Sequence, residues 1–319
     1  MSVLGIFSLI FLCLIGLFFT GLSIYLKIKN MISKKEMICL LIFALISILL
    51  GVAFVGHKDF KQFSFLQIML IFFCISLAFP LNVFIKKLSS KKYLSYIFSL
   101  LFLTFFITKF FFEIPFYEKL PLNICNIVCV LIIIRPFFKT SFFDSYILTF
   151  GFIGAISNAI LGDWFSNKDQ FIGSLNAYIN TNQLDFFNIR CFESNMVHNF
   201  YLTYCIYMLL SKSFFPNVKK ALLNFYWIVP FYFILVFLNQ IFKFNFFFTS
   251  EYRNPLLFIY EALFNIFGFK IGMFKINLVY DILLIGGAIL IILLFNYLLS
   301  LKFKPKEIIL GDTLTNDLN

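Results

Sequence analysis

The stretch "MICLLIFALISILLGVAFVG", residues 37–56, runs for twenty residues without a charged side chain or a proline. An α-helix of this length rises about 30 Å, which is the thickness of the hydrocarbon core of a bilayer. The stretch therefore predicts a helix that crosses a membrane.

The same apolar pattern recurs along the chain. Of the 319 residues, 61% are hydrophobic and 13% are charged, too few charged residues to cover the surface of a soluble domain. We predict an all-α membrane fold, a polytopic transmembrane helical bundle with about nine spans. We assign residues 1–62 to two accessory N-terminal transmembrane helices, 63–302 to a seven-span core and 303–319 to a short cytoplasmic tail. The predicted spans are roughly 3–26, 37–56, 64–85, 93–113, 120–138, 143–161, 196–215, 221–248 and 276–301.

The net charge of +11 reflects lysines in the short loops between the spans. The segments "KIKNMISKK" (27–35) and "KKLSSKK" (86–92) carry four lysines each. Lys and Arg accumulate in the cytoplasmic loops of membrane proteins. We therefore interpret the charge as topogenic and predict no nucleic-acid partner, and the sequence indicates no particular protein partner. The predicted location is the cell membrane, with the N-terminus outside and the C-terminus in the cytoplasm.

Polar residues within the predicted spans gather near one membrane face. With the N-terminus outside, span five begins at the outer face, so Cys125 and Asn126 lie within its first two turns. Span six ends at the same face, and there Gly154, Asn158 and Gly162 share one side of the helix. Polar groups inside a membrane are costly and are frequently functional. We therefore predict that Asn126 and Asn158 bind substrate.

Span seven starts at that face with a helical stripe of Ser194, His198, Tyr201 and Cys205. Because Cys125 and His198 lie two spans apart, they are near the same membrane face in either orientation. A thiol and an imidazole at one depth suit a nucleophile and its general base, since the thiolate is the reactive form of cysteine. The alternative for His198 is an interfacial histidine that bonds a neighbouring backbone carbonyl.

Three further residues are predicted to bind substrate at the same face: Asn245 at the outer end of span eight, Arg253 in the loop after it, and Asp281 in span nine. Two interpretations of Asp281 stay open, since it suits either orientation of His198 or an ion pair with a lysine. Arg253 suits either a lipid phosphate or a solvated position.

The seven cysteines show no spacing typical of a disulfide framework. Cys125 and Cys129 form a C-x-x-x-C pair, but no histidine or carboxylate accompanies it in the sequence. Nucleotide-binding and zinc-protease motifs are also missing from the sequence. We therefore predict no metal site and no organic cofactor.

Four stretches, taken in order, carry a resemblance to the YwaF-like integral membrane proteins. They resemble that family's "LPLHLC" signature, its glycine-rich helix, its helix with a single histidine, and its Asn-Tyr-Met…Lys-Pro loop. The chain departs from the pattern at Asn123, where the family has histidine, and at Gly162-Asp163, where it has Thr-Pro-Asp. The resemblance covers about residues 93–301. The four stretches are "LPLNICN" (120–126), "FGFIGAISNAILGDWF" (150–165), "FFNIRCFESNMVHNFYLTYCIY" (186–207) and "FNFFFTSEYRNP" (244–255).

Animal relatives of that family have been proposed as cysteine-dependent phospholipid acyltransferases, so the resemblance implies an acyl-enzyme on Cys125 assisted by His198. The resulting hypothesis is a lipid acyltransferase or hydrolase that has its pocket in the outer leaflet and takes a membrane lipid as substrate. The alternative is a binding or transport protein for a small solute or a lipid headgroup, because a cluster of intramembrane polar residues also suits a binding site.

Overall fold

The structure is a computed structural model that describes most of the chain. It covers residues 3–56, 65–88, 91–108, 124–138, 142–166, 189–211, 216–243 and 257–303, together with Phe110, Leu120, Leu122 and Phe214. Only the backbone is described at residues 3–5, 56, 85–88, 91–92, 158–166 and 189–195.

The described residues form α-helices and one short β-hairpin, so the predicted all-α membrane fold is confirmed apart from the hairpin. A 3-10 turn at Arg135–Phe137 follows the helix Ile124–Ile134. Strands β1 (Phe269–Ile271) and β2 (Phe274–Ile276) lie between the last two helices. The helices are α1 (Val3–Ile28), α2 (Lys34–Gly56), α3 (Phe65–Leu88), α4 (Lys91–Thr108), α5 (Ile124–Ile134), α6 (Asp144–Ser166), α7 (Ile189–Leu210), α8 (Val218–Leu223), α9 (Phe225–Phe242), α10 (Leu257–Phe267) and α11 (Leu278–Lys302).

Within the described part of the chain, five segments are helical, long and apolar enough to cross a membrane: Ile6–Ile28, Lys34–Val55, Phe65–Phe84, Val218–Phe242 and Leu278–Lys302. Shorter apolar helices occupy Tyr93–Thr108, Ile124–Phe137, Asp144–Ser157 and Leu257–Phe267. The five long apolar helices show that the protein is embedded in a membrane. The count of nine spans stays a prediction.

Several helix boundaries differ from those predicted. Helix α7 begins at Ile189 rather than at 196, which places Cys191 in a helix. The predicted span 221–248 begins earlier, at Val218, where the Asn217 side chain accepts a hydrogen bond from the backbone N–H of Lys219. That span is interrupted at Asn224, and α9 ends where Lys243 adopts a left-handed φ of 55°. The Asn217 and Asn224 side chains both bond the local backbone, which explains where this span begins and where it is interrupted.

The predicted outer loop 249–275 is the largest difference. Its described portion contains helix α10 and most of the hairpin rather than irregular chain. The hairpin turns at Gly272-Met273, where Gly272 has a φ of 58° that suits glycine.

The N-terminal helices join the remaining bundle through α3. Helices α1 and α2 pack together, α2 packs on α3, and α3 packs on α7. The Thr203 hydroxyl donates a hydrogen bond of 2.6 Å to the Cys74 carbonyl across the α3–α7 contact. The turn into α2 is a capping box, in which Ser33 and Glu36 each accept from the other's backbone N–H.

The largest core lies among α4, α5, α6 and α7, with α11 against its side. Phe102, Ile132 and Tyr201 are fully buried in it. The Asn296 amide of α11 donates to the Thr149 hydroxyl of α6 at 3.0 Å. The start of α5 and the faces of α6 and α7 that carry the predicted site border this core.

Candidate active site

The side chains of Cys125 and His198 meet at Gly154, a residue of α6 that has no side chain of its own. A Cβ atom added to Gly154 would lie 3.5 Å from the Cys125 Sγ and 3.8 Å from the His198 Cδ2. The sum of these two distances is the upper limit of the separation between Sγ and that ring carbon. Cδ2 is bonded to Nε2, so the ring edge that carries one titratable nitrogen borders the same point. The structure thus brings the thiol and the imidazole together.

Cys125 occupies the second position of α5 and is half-buried. The first N–H groups of a helix have no intrahelical carbonyl to bond, and the helix dipole places partial positive charge there. A negative charge on the sulfur or on a substrate oxygen near it is therefore favoured. Leu122 precedes the helix, and Val128 and Cys129 on its next turn are buried in the core.

Close approach of α6 and α7 depends on a second glycine one turn away. A Cβ atom on Gly151 would lie only 2.7 Å from the Cys205 Sγ, a distance that packed atoms do not tolerate. The next nearest atom, the Tyr201 Cβ, would be 3.6 Å away. Glycine in a helix interior costs about 0.5–1 kcal/mol relative to alanine. At Gly151 that cost is offset by the interhelical packing that brings His198 toward Gly154.

Tyr201 connects the two halves of the site. Its hydroxyl donates a hydrogen bond of 2.6 Å to the backbone carbonyl of Cys125. Its ring stacks on Phe102, with centroids 5.3 Å apart and planes 7° apart, and it meets the His198 ring edge-on at 5.7 Å. One buried residue on the predicted stripe therefore contacts both the cysteine backbone and the histidine ring.

Aromatic side chains of α4 and α7 form a cluster that packs on Tyr201. Phe105 and Phe200 have ring centroids 5.9 Å apart, and Phe102 lies next to both Phe105 and Tyr201. Apolar surroundings exclude water from a reacting centre and accept hydrocarbon chains. Tyr201 therefore lies between the polar pair and an aromatic cluster.

Asn126 is buried, and its amide donates a hydrogen bond of 3.3 Å to the Leu120 carbonyl. This bond ties the segment before α5 to its first turn. The contact explains why an asparagine is accommodated at the start of an apolar helix, since buried amides need partners. Asn126 thus has a structural contact of its own, in addition to its predicted role in substrate binding.

Four predicted features lie outside what the structure describes. Asn245 and Arg253 are not among the described residues, and neither is Asn123 of the motif. The side chain of Asn158 is likewise outside the described part, although its backbone belongs to α6. Their roles stay predictions.

Asp281 belongs to a different cluster. Its carboxylate accepts a hydrogen bond of 2.8 Å from the Tyr232 hydroxyl of α9, and both side chains are buried. Asn296, which contacts Thr149 of α6, lies fifteen residues after Asp281, or about 22 Å of helix. Gly154 is only five residues from Thr149, or about 8 Å. The described contacts therefore place Asp281 with Tyr232 and well away from His198.

An ion pair that the sequence did not predict joins the C-terminal end of α5 to the N-terminal end of α6. The Arg135 guanidinium donates through Nε and Nη2 to the two carboxylate oxygens of Asp144, at 2.8 and 2.9 Å. Asp144 is 1% exposed and Arg135 is 20% exposed. This bidentate pair fixes the turn between α5 and α6, and so the register of Cys125 against Gly154.

The sequence indicated Tyr201 only as a member of the stripe and indicated no role for Gly151. The spacing of Gly151 and Gly154, three residues apart on one helix face, is the signal that would have indicated close helix approach. Among the described residues, no group of three His, Cys, Asp or Glu side chains is placed to hold a metal ion.

The fold and the site together define an integral helical membrane protein with a cysteine and a histidine converging inside its helix bundle. The chain belongs to the TMEM164 family, whose model matches residues 2–274. The matched region includes α1 and α2, which precede residues 93–301, and it ends before α11. Comparison with the curated proteins and with the solved structures gives no match.

Proposed function

We propose that the protein is a cysteine-dependent lipid acyltransferase or hydrolase, with Cys125 as nucleophile and His198 as general base and acid. The observation that carries the proposal is the convergence of the Cys125 thiol and the His198 ring on the vacant side-chain position of Gly154. A nucleophile and a base need to lie near hydrogen-bond reach of each other, and this distance shortens when substrate is bound.

The proposed reaction has two steps, acylation of Cys125 and then transfer of the acyl group to an acceptor or to water. His198 takes the proton of the Cys125 thiol, and the sulfur attacks the carbonyl carbon of a lipid ester. The carbon–oxygen ester bond breaks, the departing alkoxide receives the proton from His198, and an acyl thioester remains on Cys125. In the second step, His198 deprotonates a hydroxyl of an acceptor lipid or a water molecule. That oxygen attacks the thioester, and the thiol is regenerated when the sulfur takes back the proton.

The chain's own residues contribute three further effects. The first turn of α5 presents backbone N–H groups near Cys125, which favour the developing oxyanion. Tyr201 holds the Cys125 carbonyl and contacts the His198 ring, so it orients both groups. Substrate-binding roles for Asn126, Asn158, Asn245 and Arg253 complete the proposal, whereas Asp281, which pairs with Tyr232 in a separate cluster, has no part in it.

The substrate class follows from the surroundings and from the resemblance to YwaF-like proteins. The half-buried rings of Phe105 and Phe200, which pack together beside Tyr201, suit contact with a fatty acyl chain. A site inside a helix bundle in a membrane receives a lipid by lateral diffusion rather than from water. A membrane phospholipid ester is therefore the proposed acyl donor, and it reaches the site from the outer leaflet.

The reaction is tested in native membranes with a phospholipid that carries a labelled acyl chain. Label should become attached to the protein and should be released by neutral hydroxylamine, which cleaves thioesters. Attachment should disappear in Cys125→Ala and fall strongly in His198→Ala. It should persist in Cys191→Ala, which removes a cysteine near the start of α7. Loss of attachment in Cys191→Ala alone, or no change in His198→Ala, contradicts the proposal and favours a binding or transport protein.

The proposed topology places the protein in the cell membrane with the N-terminus outside and the C-terminus inside. The lysine-rich turn at 27–35 and the segment 86–92 are then cytoplasmic. Cysteines introduced at Asn30 and Ser90 should react with a membrane-impermeant maleimide only after the cells are opened. Reaction of both in intact cells means that the orientation is inverted and that the site faces the inner leaflet.

A further inference from the structure

The described residues that precede α11, helix α10 and the hairpin, carry apolar side chains on an outward surface, yet α10 is too short to cross a membrane. Helix α10 has eleven residues and a length of about 16 Å, against the ~30 Å of a hydrocarbon core. Its side chains Phe258 and Ile266 are each 70% exposed. With Ala262 they form a stripe at intervals of four residues, which is one face of a helix.

The hairpin that follows α10 is amphipathic. Its register pairs Phe269 with Ile276, Lys270 with Lys275, and Ile271 with Phe274. Because directly paired residues point to the same side of a hairpin, one side is wholly apolar and the other carries the two lysines. Met273 in the turn is 69% exposed. Two like charges directly opposite each other destabilise a hairpin. Lys270 is exposed, whereas the Lys275 ammonium lies 5.9 Å from the ring centroid of Phe264 in α10. An anionic group close to Lys270 offsets the repulsion between the two lysines.

This segment is fixed to the ends of the membrane-crossing helices. The Gln240 side chain of α9 donates to the Lys275 carbonyl at 2.7 Å and accepts from the Lys275 N–H at 2.6 Å. Asn277 caps α11 and donates to the Tyr260 carbonyl of α10 at 2.7 Å. The segment therefore sits where α9 ends and α11 begins, which is the level at which a membrane meets water.

We propose that residues 257–276, α10 with the hairpin, form an interfacial unit that binds the anionic headgroup layer of the membrane. At about 16 Å, α10 is too short to cross the hydrocarbon core, and two charged lysines on the hairpin are costly inside it. The unit's exposed apolar side chains Phe258, Ile266, Ile271 and Met273 insert at the boundary of headgroups and acyl chains. Lys270 and Lys275 contact acidic headgroups through flexible stems that reach the water side.

The depth of the unit is tested by tryptophan fluorescence of the full chain in vesicles of mixed neutral and anionic phospholipid. Met273→Trp and, as a depth reference, Leu14→Trp are compared with the parent, whose own tryptophan emission is subtracted. Leu14 lies midway along α1 and is largely exposed. Emission from Met273→Trp should be quenched by lipids brominated near the headgroup, and emission from Leu14→Trp by lipids brominated near the chain end. Quenching of Met273→Trp by aqueous iodide, with no effect of brominated lipid, overturns the proposal.

The preference for anionic headgroups is tested separately with the double variant K270Q/K275Q. In vesicles of neutral lipid the variant should melt at the same temperature as the parent or higher, because the like-charge pair is gone. Adding anionic lipid should raise the melting temperature of the parent by several degrees and leave that of the variant unchanged. Equal responses of parent and variant to anionic lipid show that the lysines do not contact headgroups, and they overturn that part of the proposal.

Discussion

The hydroxyl of Tyr201 donates a hydrogen bond of 2.6 Å to the backbone carbonyl of Cys125, across 76 residues of sequence. The same ring meets His198 edge-on and stacks on Phe102. The first turn of α5 is therefore held by the helix that carries the proposed base. A positioning residue of this kind sets the geometry between thiol and imidazole without touching the substrate.

Tyr201→Phe is expected to slow acylation of Cys125 and to destabilise the protein modestly. The ring and its stack on Phe102 remain, so the loss is that of one buried hydrogen bond, about 0.5–1.5 kcal/mol. Rates of thioester formation and melting temperatures in detergent measure the two effects. Tyr232→Phe is the matched control, because it also removes a buried tyrosine hydroxyl and one hydrogen bond, that to Asp281, at a place away from Cys125 and His198. If the two variants acylate at the same rate, Tyr201 does not position the site.

Gly154→Ala is expected to abolish most of the chemistry while leaving the fold intact. The added methyl group would make ordinary contacts with the Cys125 Sγ and the His198 Cδ2, at 3.5 and 3.8 Å. It therefore occupies the space between nucleophile and base, where a misplacement of about 1 Å costs on the order of 100-fold in rate. Thioester formation and melting temperature are measured together.

The matched control for Gly154→Ala is Gly286→Ala in α11, where an added Cβ would meet nothing within 4 Å. Both changes raise helix propensity, so both variants should melt at or above the temperature of the parent. Full activity of Gly154→Ala would show that the thiol and the imidazole do not act across this space.

Gly151→Ala is expected to destabilise the protein by about 1–3 kcal/mol, because its methyl group would clash with the Cys205 Sγ at 2.7 Å. Cys205→Ala removes that sulfur, and the next neighbour of the new methyl group, the Tyr201 Cβ, is 3.6 Å away. The double variant should therefore be more stable than the sum of the single changes predicts. A double-mutant cycle on melting free energies measures the difference, and strict additivity contradicts the packing described for α6 and α7.

Asp144→Asn is expected to cost about 2–4 kcal/mol, because it leaves the Arg135 guanidinium without its carboxylate in a partly buried place. The range is set below that of a fully buried pair because Arg135 is 20% exposed. Combining it with Arg135→Gln should restore part of the stability, since neither charge is then left alone. Unfolding in denaturant gives the free energies. A double variant as unstable as the sum of the two singles argues that the pair does not fix the turn.

Much of the architecture was predictable because the free energy of membrane insertion is a local property. Nearly every residue in runs such as 37–56 is apolar. Each of these residues favours the bilayer independently of residues far away in the chain. The stripe of His198, Tyr201 and Cys205 was predictable for the same reason, since helical periodicity depends only on spacing. Boundaries were predicted less well where side chains such as Asn217 and Asn224 bond the backbone.

The sequence by itself determined that the chain enters a membrane as helices, and it predicted that Cys125 and His198 lie near the same face of that membrane. Tertiary structure alone decided that their side chains meet at Gly154, that Tyr201 bonds the Cys125 carbonyl, and that Asp281 pairs with Tyr232. The rotation and register of one helix against another depend on pairwise packing, such as that of Gly151 against Cys205. Such packing arises between residues far apart in the chain, so no local pattern encodes it.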